Sequence, residues 1–314
     1  MSSSGATPLL ISPLQLSKLA PSSDVAILDA TWFMPNAPRN AREEFASKRI
    51  PGARYLDLDE VASAHELGLK HMMPEGRVFA DACEKLGISP SSHVVIYDAH
   101  GVFSSPRALL MFKSFGHEKT SVLDGGLPRW ESEGLKVDQY TPMDEEKPPS
   151  YPTPSLDERV VRSYTQMVSN SSFDPTVDLN AELVLDARPR ARFEGKAPEP
   201  RPDIPSGHIP NSFSLPFDTF LQTHSSPTLR SSATFTTYRP PSEIRKALVD
   251  AVGVDQAELI ISGKRPVTAT CGSGMTAGVI WLGLKLLGVD QIGLYDESWT
   301  GYAARKSSRI EKSP

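Results

Sequence analysis
Short apolar runs alternate along this chain with longer segments whose apolar residues recur at helical spacing. Val25-Ala26-Ile27-Leu28, Val94-Val95-Ile96, Leu183-Val184-Leu185 and Pro266 to Thr270 have the length and β-branched content of buried strands. Phe79 to Leu86, Pro106 to Phe115 and Ala277 to Leu287 read as helices, the last stopped by Gly288. Ser242 is the expected N-cap of a further helix carrying Ile244, Leu248, Ala251 and Val252. Strand-like runs alternating with helix-like ones predict an α/β fold, a mainly parallel sheet flanked by helices.

The pattern occurs twice. Val25-Ala26-Ile27-Leu28-Asp29-Ala30 is echoed by Leu183-Val184-Leu185-Asp186-Ala187, and Arg49-Ile50-Pro51-Gly52-Ala53 by His208-Ile209-Pro210-Asn211-Ser212. In the same order, His93 to Asp98 matches Pro266 to Cys271, and Leu123-Asp124-Gly125-Gly126 matches Tyr295-Asp296-Glu297-Ser298. Four matches in one order predict two copies of one unit, over 8–139 and 156–314. Between them, 140–155 carries five prolines and an acidic cluster and reads as an extended linker. Thr223 to Pro241, rich in Ser, Thr and Pro, reads as a solvated surface insertion.

Composition narrows the classes of function. At 314 residues the chain can bury two cores, and a net charge of −5 offers no basic surface for nucleic acid. The longest apolar run, around Val279 to Val289, is interrupted by Lys285 and is too short to span a bilayer. A soluble protein with neither nucleic-acid nor membrane partner is expected. Two cysteines make no disulfide framework and fit a reducing compartment. The expected location is the cytoplasm, with mitochondria as the second compartment. No histidine has ligand spacing with Cys, Asp or Glu, so neither a metal nor a cofactor is expected.

The candidate chemistry lies in Cys271-Gly272-Ser273-Gly274-Met275-Thr276-Ala277, where a strand hands over to a helix. In open α/β sheets this carboxyl edge is where ligands bind, and the N–H groups of such a turn can converge on one anion. A helix N-terminus favours thiolate over thiol, so Cys271 is the candidate nucleophile. Gly272 and Gly274 let the backbone turn sharply or approach a ligand. The loop lacks the arginine a phosphatase loop would carry at 277, where Ala277 stands, and the Lys of a nucleotide-binding loop. Asp98 takes the place of Cys271 in the first copy, which is therefore expected to be catalytically silent. Cys83, at helical spacing with Phe79 and Leu86, reads as core.

The loop resembles the active-site loop of the mercaptopyruvate sulfurtransferases, a branch of the rhodanese superfamily, with Met275 where valine is usual and Glu297 in a Tyr-Asp-Gly-Ser-Trp-like segment. The resemblance runs from about Leu10 to Arg305. It implies two tandem rhodanese-like domains and a persulfide on Cys271, formed from a small-molecule donor and passed to a thiol acceptor. Thioredoxin, a low-molecular-weight thiol or a sulfur-carrier protein would serve as acceptor. Arg192 and Arg201, in Arg-Phe-Glu-Gly and Pro-Glu-Pro-Arg, are implied to bind the donor's carboxylate and ketone, with Gly272, Gly274, Met275 and Thr276 lining the site. Ser273 is implied to act with Asp59 and His71 of the first domain, at a domain interface. The basic pair that follows the cysteine in thiosulfate-preferring rhodaneses is replaced by Gly272 and Ser273, which favours mercaptopyruvate. The alternatives are a thiosulfate-preferring enzyme and a relay protein supplying sulfur for tRNA thiolation.

Overall fold
The computed structural model describes residues 6–20, 22–139, 149–226 and 234–313. In chain order the first strands are β1 (Leu10–Ile11), β2 (Val25–Asp29), β3 (Arg54–Tyr55), β4 (His93–Tyr97) and β5 (Thr120–Leu123). They form one sheet in the order β1-β5-β4-β2-β3, and every pairing in it is parallel. Then follow β6 (Val161–Arg162), β7 (Leu183–Asp186), β8 (Ser212–Ser214), β9 (Leu221–Ser225), β10 (Thr234–Tyr238), β11 (Val267–Thr270) and β12 (Ile292–Tyr295). The second sheet, β6-β12-β11-β7-β8, is parallel in the same order of roles. The repeat in the sequence is thus a repeat in topology, with β4 and β11 at the two centres.

Both central strands are buried along nearly their whole length, as a parallel sheet covered on both faces requires. The helix Ala277–Leu286 has eight of its ten residues buried, which explains why its apolar character runs around its full circumference. One cluster of the first copy joins Ile27, Phe45, Val95, Tyr97, Leu123 and Trp130. A cluster of the second joins Met167, Val184, Ile209, Tyr295, Trp299 and Tyr302.

The chain divides into two compact units, neither of them a contiguous block. One comprises Met1–Ala62, Pro74–Leu156 and Thr223–Tyr238; the other Ser63–Met73, Asp157–Gln222 and Arg239–Pro314. A short segment from each half therefore belongs to the unit built mainly from the other half.

Three expectations need correction or placing. Of the expected insertion Thr223 to Pro241, 227–233 lies outside the described residues, and the rest is not simply a solvated loop: β9 and β10 pair, Thr237 and Tyr238 are buried, and the Tyr238 N–H donates to Asp124 Oδ1 at 2.9 Å. The alternation Thr234-Phe235-Thr236-Thr237-Tyr238 is strand chemistry that the polar composition masks. The helix carrying Ile244 and Leu248 begins at Pro241 with Pro240 as N-cap, so Ser242 lies inside its first turn. Proline is well suited to that start, because an N–H there has no intrahelical partner. Of the expected linker, 140–148 lies outside the described residues; within the rest, Tyr151 is buried and its hydroxyl bonds His117 Nδ1 at 2.8 Å.

Candidate active site
Cys271 follows the last residue of β11 directly and is 2 % exposed. Its backbone is pinned on both sides. Its N–H donates to Ser298 Oγ at 3.1 Å, and its carbonyl accepts from Trp299 N–H at 2.9 Å. The next carbonyl, of Gly272, accepts from the Thr300 N–H at 2.9 Å and from the Thr300 hydroxyl at 2.5 Å. Gly274 then takes φ +84°, a left-handed conformation costly for a residue with a Cβ, and turns the chain into the helix that starts at Ala277. Met275 is 2 % exposed, whereas Gly272, Ser273 and Thr276 are half-buried.

The first unit displays what such a loop holds. Asp98, fully buried at the matching position, accepts from the N–H of His100 with Oδ1 at 3.0 Å. Its Oδ2 accepts from the N–H groups of Phe103, Ser104 and Ser105 at 2.9 to 3.0 Å and from the Ser105 hydroxyl at 2.7 Å. Gly101, at φ +109°, turns this loop where Gly274 turns the other. In the first copy the loop is an anion cradle, filled by a carboxylate of the chain itself. In register, Ser273, Thr276 and Ala277 stand where His100, Phe103 and Ser104 donate.

Two guanidinium groups belong to the same unit as Cys271. Arg201 approaches the loop so closely that a Cβ on Gly272 would stand 3.7 Å from its Nη1. Arg192, on the short helix Arg190–Phe193, places Nη1 3.5 Å from Glu199 Oε2, while its Nε is buried with no hydrogen-bond partner among the described residues. A buried orphan donor on a cation is what an anionic ligand would complete.

Behind Arg192 lies an ion cluster that sequence reading missed. Arg188 is completely buried; it forks onto Asp186 with Nη2 at 2.6 Å, reaches Glu199 Oε1 with Nη1 at 2.8 Å and donates to the Gly207 carbonyl. Its guanidinium lies 4.3 Å from the centre of the Trp299 ring. Burial alone would lower the Arg188 pKa, but Asp186 and Glu199 outweigh it and hold the group charged. Glu199 is thereby fixed between two arginines. The available signal was Arg188 standing after Asp-Ala where the first copy has Thr31.

Ser298 was missed as well. It is fully buried at φ +50°, rare for a residue with a side chain, and its hydroxyl also donates to the Tyr295 carbonyl at 2.8 Å. The matching residue of the first copy is Gly126, at φ +53°; a serine opposite a glycine was the clue.

His71 is 2 % exposed and belongs to the unit that contains Cys271. Its Nε2–H donates to the backbone carbonyl of Ser273 at 2.8 Å, so the histidine is tied to the loop itself. Asp59 belongs to the other unit, where its Oδ2 accepts from the Trp32 indole N–H at 3.2 Å. Cys83 is buried, and burial pushes its thiol far above the ordinary range, which suits a core residue. Among the described residues no group of three His, Cys, Asp or Glu could hold a metal ion, and no helix is long and apolar enough to cross a membrane.

A buried cysteine on a turn whose counterpart in the first copy cradles a carboxylate, with Arg201 beside that turn, fits a nucleophilic group-transfer centre. The rhodanese-like domain model matches the chain twice, over 12–133 and 172–305. The 3-mercaptopyruvate sulfurtransferase of Rattus norvegicus is 37% identical over 289 residues, 90% of this chain and 86% of that protein. The mitochondrial thiosulfate/3-mercaptopyruvate sulfurtransferase 1 of Arabidopsis thaliana is 37% identical over 306 residues, 92% of this chain and 74% of that protein. The sulfur transferase subunit of yeast mitochondrial complex I superimposes with a TM-score of 0.81 at 30% identity, covering 98% of this chain and 100% of that one. The chain belongs to the rhodanese family, as a tandem-domain sulfurtransferase of its 3-mercaptopyruvate branch.

Proposed function
We propose that the protein transfers sulfur from 3-mercaptopyruvate to a thiol through a persulfide on Cys271. The Cys271 thiolate attacks the donor sulfur and forms the S–S bond. The C–S bond breaks, its electron pair leaves as the enolate of pyruvate, and a proton on carbon completes pyruvate. An acceptor thiolate then attacks the outer sulfur and returns Cys271 as thiolate. Arg192 and Arg201 bind the carboxylate and ketone of the donor, a task that suits the guanidinium fork. The N–H groups of the 272–277 turn hold the sulfur anion as those of the first copy hold Asp98, with Gly272, Gly274, Met275 and Thr276 shaping the cradle. Ser273 offers its hydroxyl for the leaving enolate, and His71 fixes the loop through the Ser273 carbonyl. The assignment of Asp59 rests on the family resemblance alone. With Asp98 in place of cysteine, the first copy is silent.

The observation that carries the donor assignment is Arg201 beside Gly272 in a loop whose two residues after cysteine are uncharged. Mercaptopyruvate keeps its carboxylate away from the transferred sulfur, within reach of side chains outside the loop, whereas thiosulfate sets its charge next to that sulfur. The test is donor preference: pyruvate released from mercaptopyruvate, with one added sulfur on the Cys271 peptide by mass spectrometry. Thiosulfate turnover equal to or above that with mercaptopyruvate would replace this reading by a thiosulfate sulfurtransferase.

The likeness to a sulfur transferase subunit of a larger assembly favours a protein thiol among the acceptors. Thioredoxin, a small thiol and a sulfur-carrier protein are the acceptors to compare, in cytoplasm or mitochondria, since a mitochondrial protein is among the relatives.

A further inference from the structure
At the start of the helix Ser298–Ala304 the second copy carries Glu297 where the first has Gly125. The Glu297 carboxylate is only 12 % exposed and is shared. Oε2 pairs with Arg305 Nη1, and Oε1 lies 3.7 Å from His65 Nε2. Arg305 is itself fixed: it donates to the Gly301 carbonyl at 2.7 Å, lies 4.2 Å from the Tyr164 ring centre and reaches Glu66 at 3.2 Å. The Leu67 N–H donates to His65 Nδ1 at 3.2 Å, so the neutral ring carries its proton on Nε2, facing Glu297. Thus Glu297 and Arg305 hold the beginning of the Ser63–Met73 segment. Its end is held by the preceding residue: Asp296 Oδ2 accepts from the Met73 N–H at 2.7 Å. Between the two anchors lies His71, at φ +47°, with its ring on the Ser273 carbonyl.

Gly301 is an independent witness to this clasp. A Cβ there would stand 2.4 Å from Glu297 Oε2 and 3.0 Å from Leu69 Cδ1, so glycine alone lets both the carboxylate and the segment lie against this helix.

We propose that Glu297 is a positioning residue for sulfur transfer: through Arg305 and His65 it holds Ser63–Met73 in place, so that His71 keeps the cysteine loop in register. This rests on the reading of Cys271 as the sulfur carrier. Loss of the carboxylate charge leaves a mostly buried guanidinium without its main partner and loosens the segment, not the donor-binding arginines. Turnover should therefore fall with little change in donor binding.

The test uses the full-length protein with Glu297→Gln, Gly301→Ala and Glu66→Ala, following amide exchange of 65–73 together with pyruvate release. In Glu297→Gln those amides should exchange about tenfold faster, as expected when a local opening becomes easier. Misplacement of the supporting group should lower kcat roughly 5- to 20-fold with KM for mercaptopyruvate changed less than about twofold. Gly301→Ala should do the same despite its better helix propensity. Glu66→Ala, which removes only the exposed end of the same pairing, should speed exchange less than Glu297→Gln does, because an ion pair open to water holds little. Unchanged exchange in both Glu297→Gln and Gly301→Ala would overturn the clasp, and faster exchange with unaltered kcat would overturn its role in turnover. If the wild type released no pyruvate from mercaptopyruvate, the donor assignment would fall, and the clasp would be judged by the exchange of 65–73 alone.

Discussion

Ser298 accepts the N–H of Cys271 at 3.1 Å from a backbone held in the left-handed region at φ +50°. Two costs are combined in one residue: a strained conformation and a hydroxyl with no freedom to turn, since it also serves the Tyr295 carbonyl. Ser298→Gly should relieve the strain, worth about 1–2 kcal/mol, while orphaning the Cys271 N–H. Ser298→Ala keeps the strain and orphans the same group, a loss of roughly 1–3 kcal/mol with no relief to offset it. Denaturant unfolding should therefore find Ala less stable than Gly, and both should turn over more slowly because the nucleophile's backbone is no longer pinned. Equal stability of the two variants would mean that the strain is not felt.

The two cysteines should separate completely. Cys271→Ser removes the sulfur carrier and should abolish transfer, and donor treatment should leave no added sulfur on that variant. Cys83→Ser should lose some stability, because a hydroxyl enters the apolar surroundings of Phe79, but should keep its transfer activity. Sulfur found on Cys83 in the wild type would reverse the assignment.

The arginines should be separable by what each loss does. Arg201→Ala and Arg192→Ala should each reduce kcat/KM for mercaptopyruvate by about 1.5–3 kcal/mol of binding, with the fold itself unaffected. Glu199→Ala goes further. It removes a carboxylate from the buried Arg188 and should destabilise the fold by roughly 3–5 kcal/mol in addition to weakening donor binding through Arg192. Thermal unfolding alongside kinetics distinguishes the two outcomes.

The candidate nucleophile stood out because its signal is local: a strand, glycines at 272 and 274 and a helix start occupy consecutive positions. The duplicated sheet was legible for the same reason, each echo being a short run with its own register. What escaped depends on chain that is distant in sequence. Nothing local to Ser63–Met73 says that it joins the unit of Cys271, and Thr223–Tyr238 gives no sign of joining the unit of Asp98. The role of Glu199 depends on Arg188 being folded back onto it, and Ser298 hides a glycine-like backbone under an ordinary side chain. His71 was legible as a residue but not as a contact: its partner is the Ser273 carbonyl, which carries no side-chain signature.

Asp29 tests whether the two copies differ in their electrostatics as their sequences imply. In the second copy Asp186 is neutralised by Arg188, but the first copy has Thr31 in that place, and Asp29 is 2 % exposed. Its Oδ1 accepts from the Thr31 N–H at 2.9 Å and from the Thr31 hydroxyl. These bonds favour the charged form less than burial opposes it, and Asp98 adds to the opposition, so its pKa is raised to about 6. Unfolded, the group titrates near ~3.9. The stability this carboxyl contributes is thus fully present below about pH 4, is lost as pH rises through about 6, and is constant above; the whole change is ~3 kcal/mol. Asp29→Asn keeps an oxygen for the two Thr31 donors but cannot ionise. Denaturant unfolding of wild type and variant from pH 4.5 to 8 should show the difference in stability moving in favour of the variant across this window and flat above pH 7. A difference that does not vary with pH would place the Asp29 titration outside this range in the folded protein.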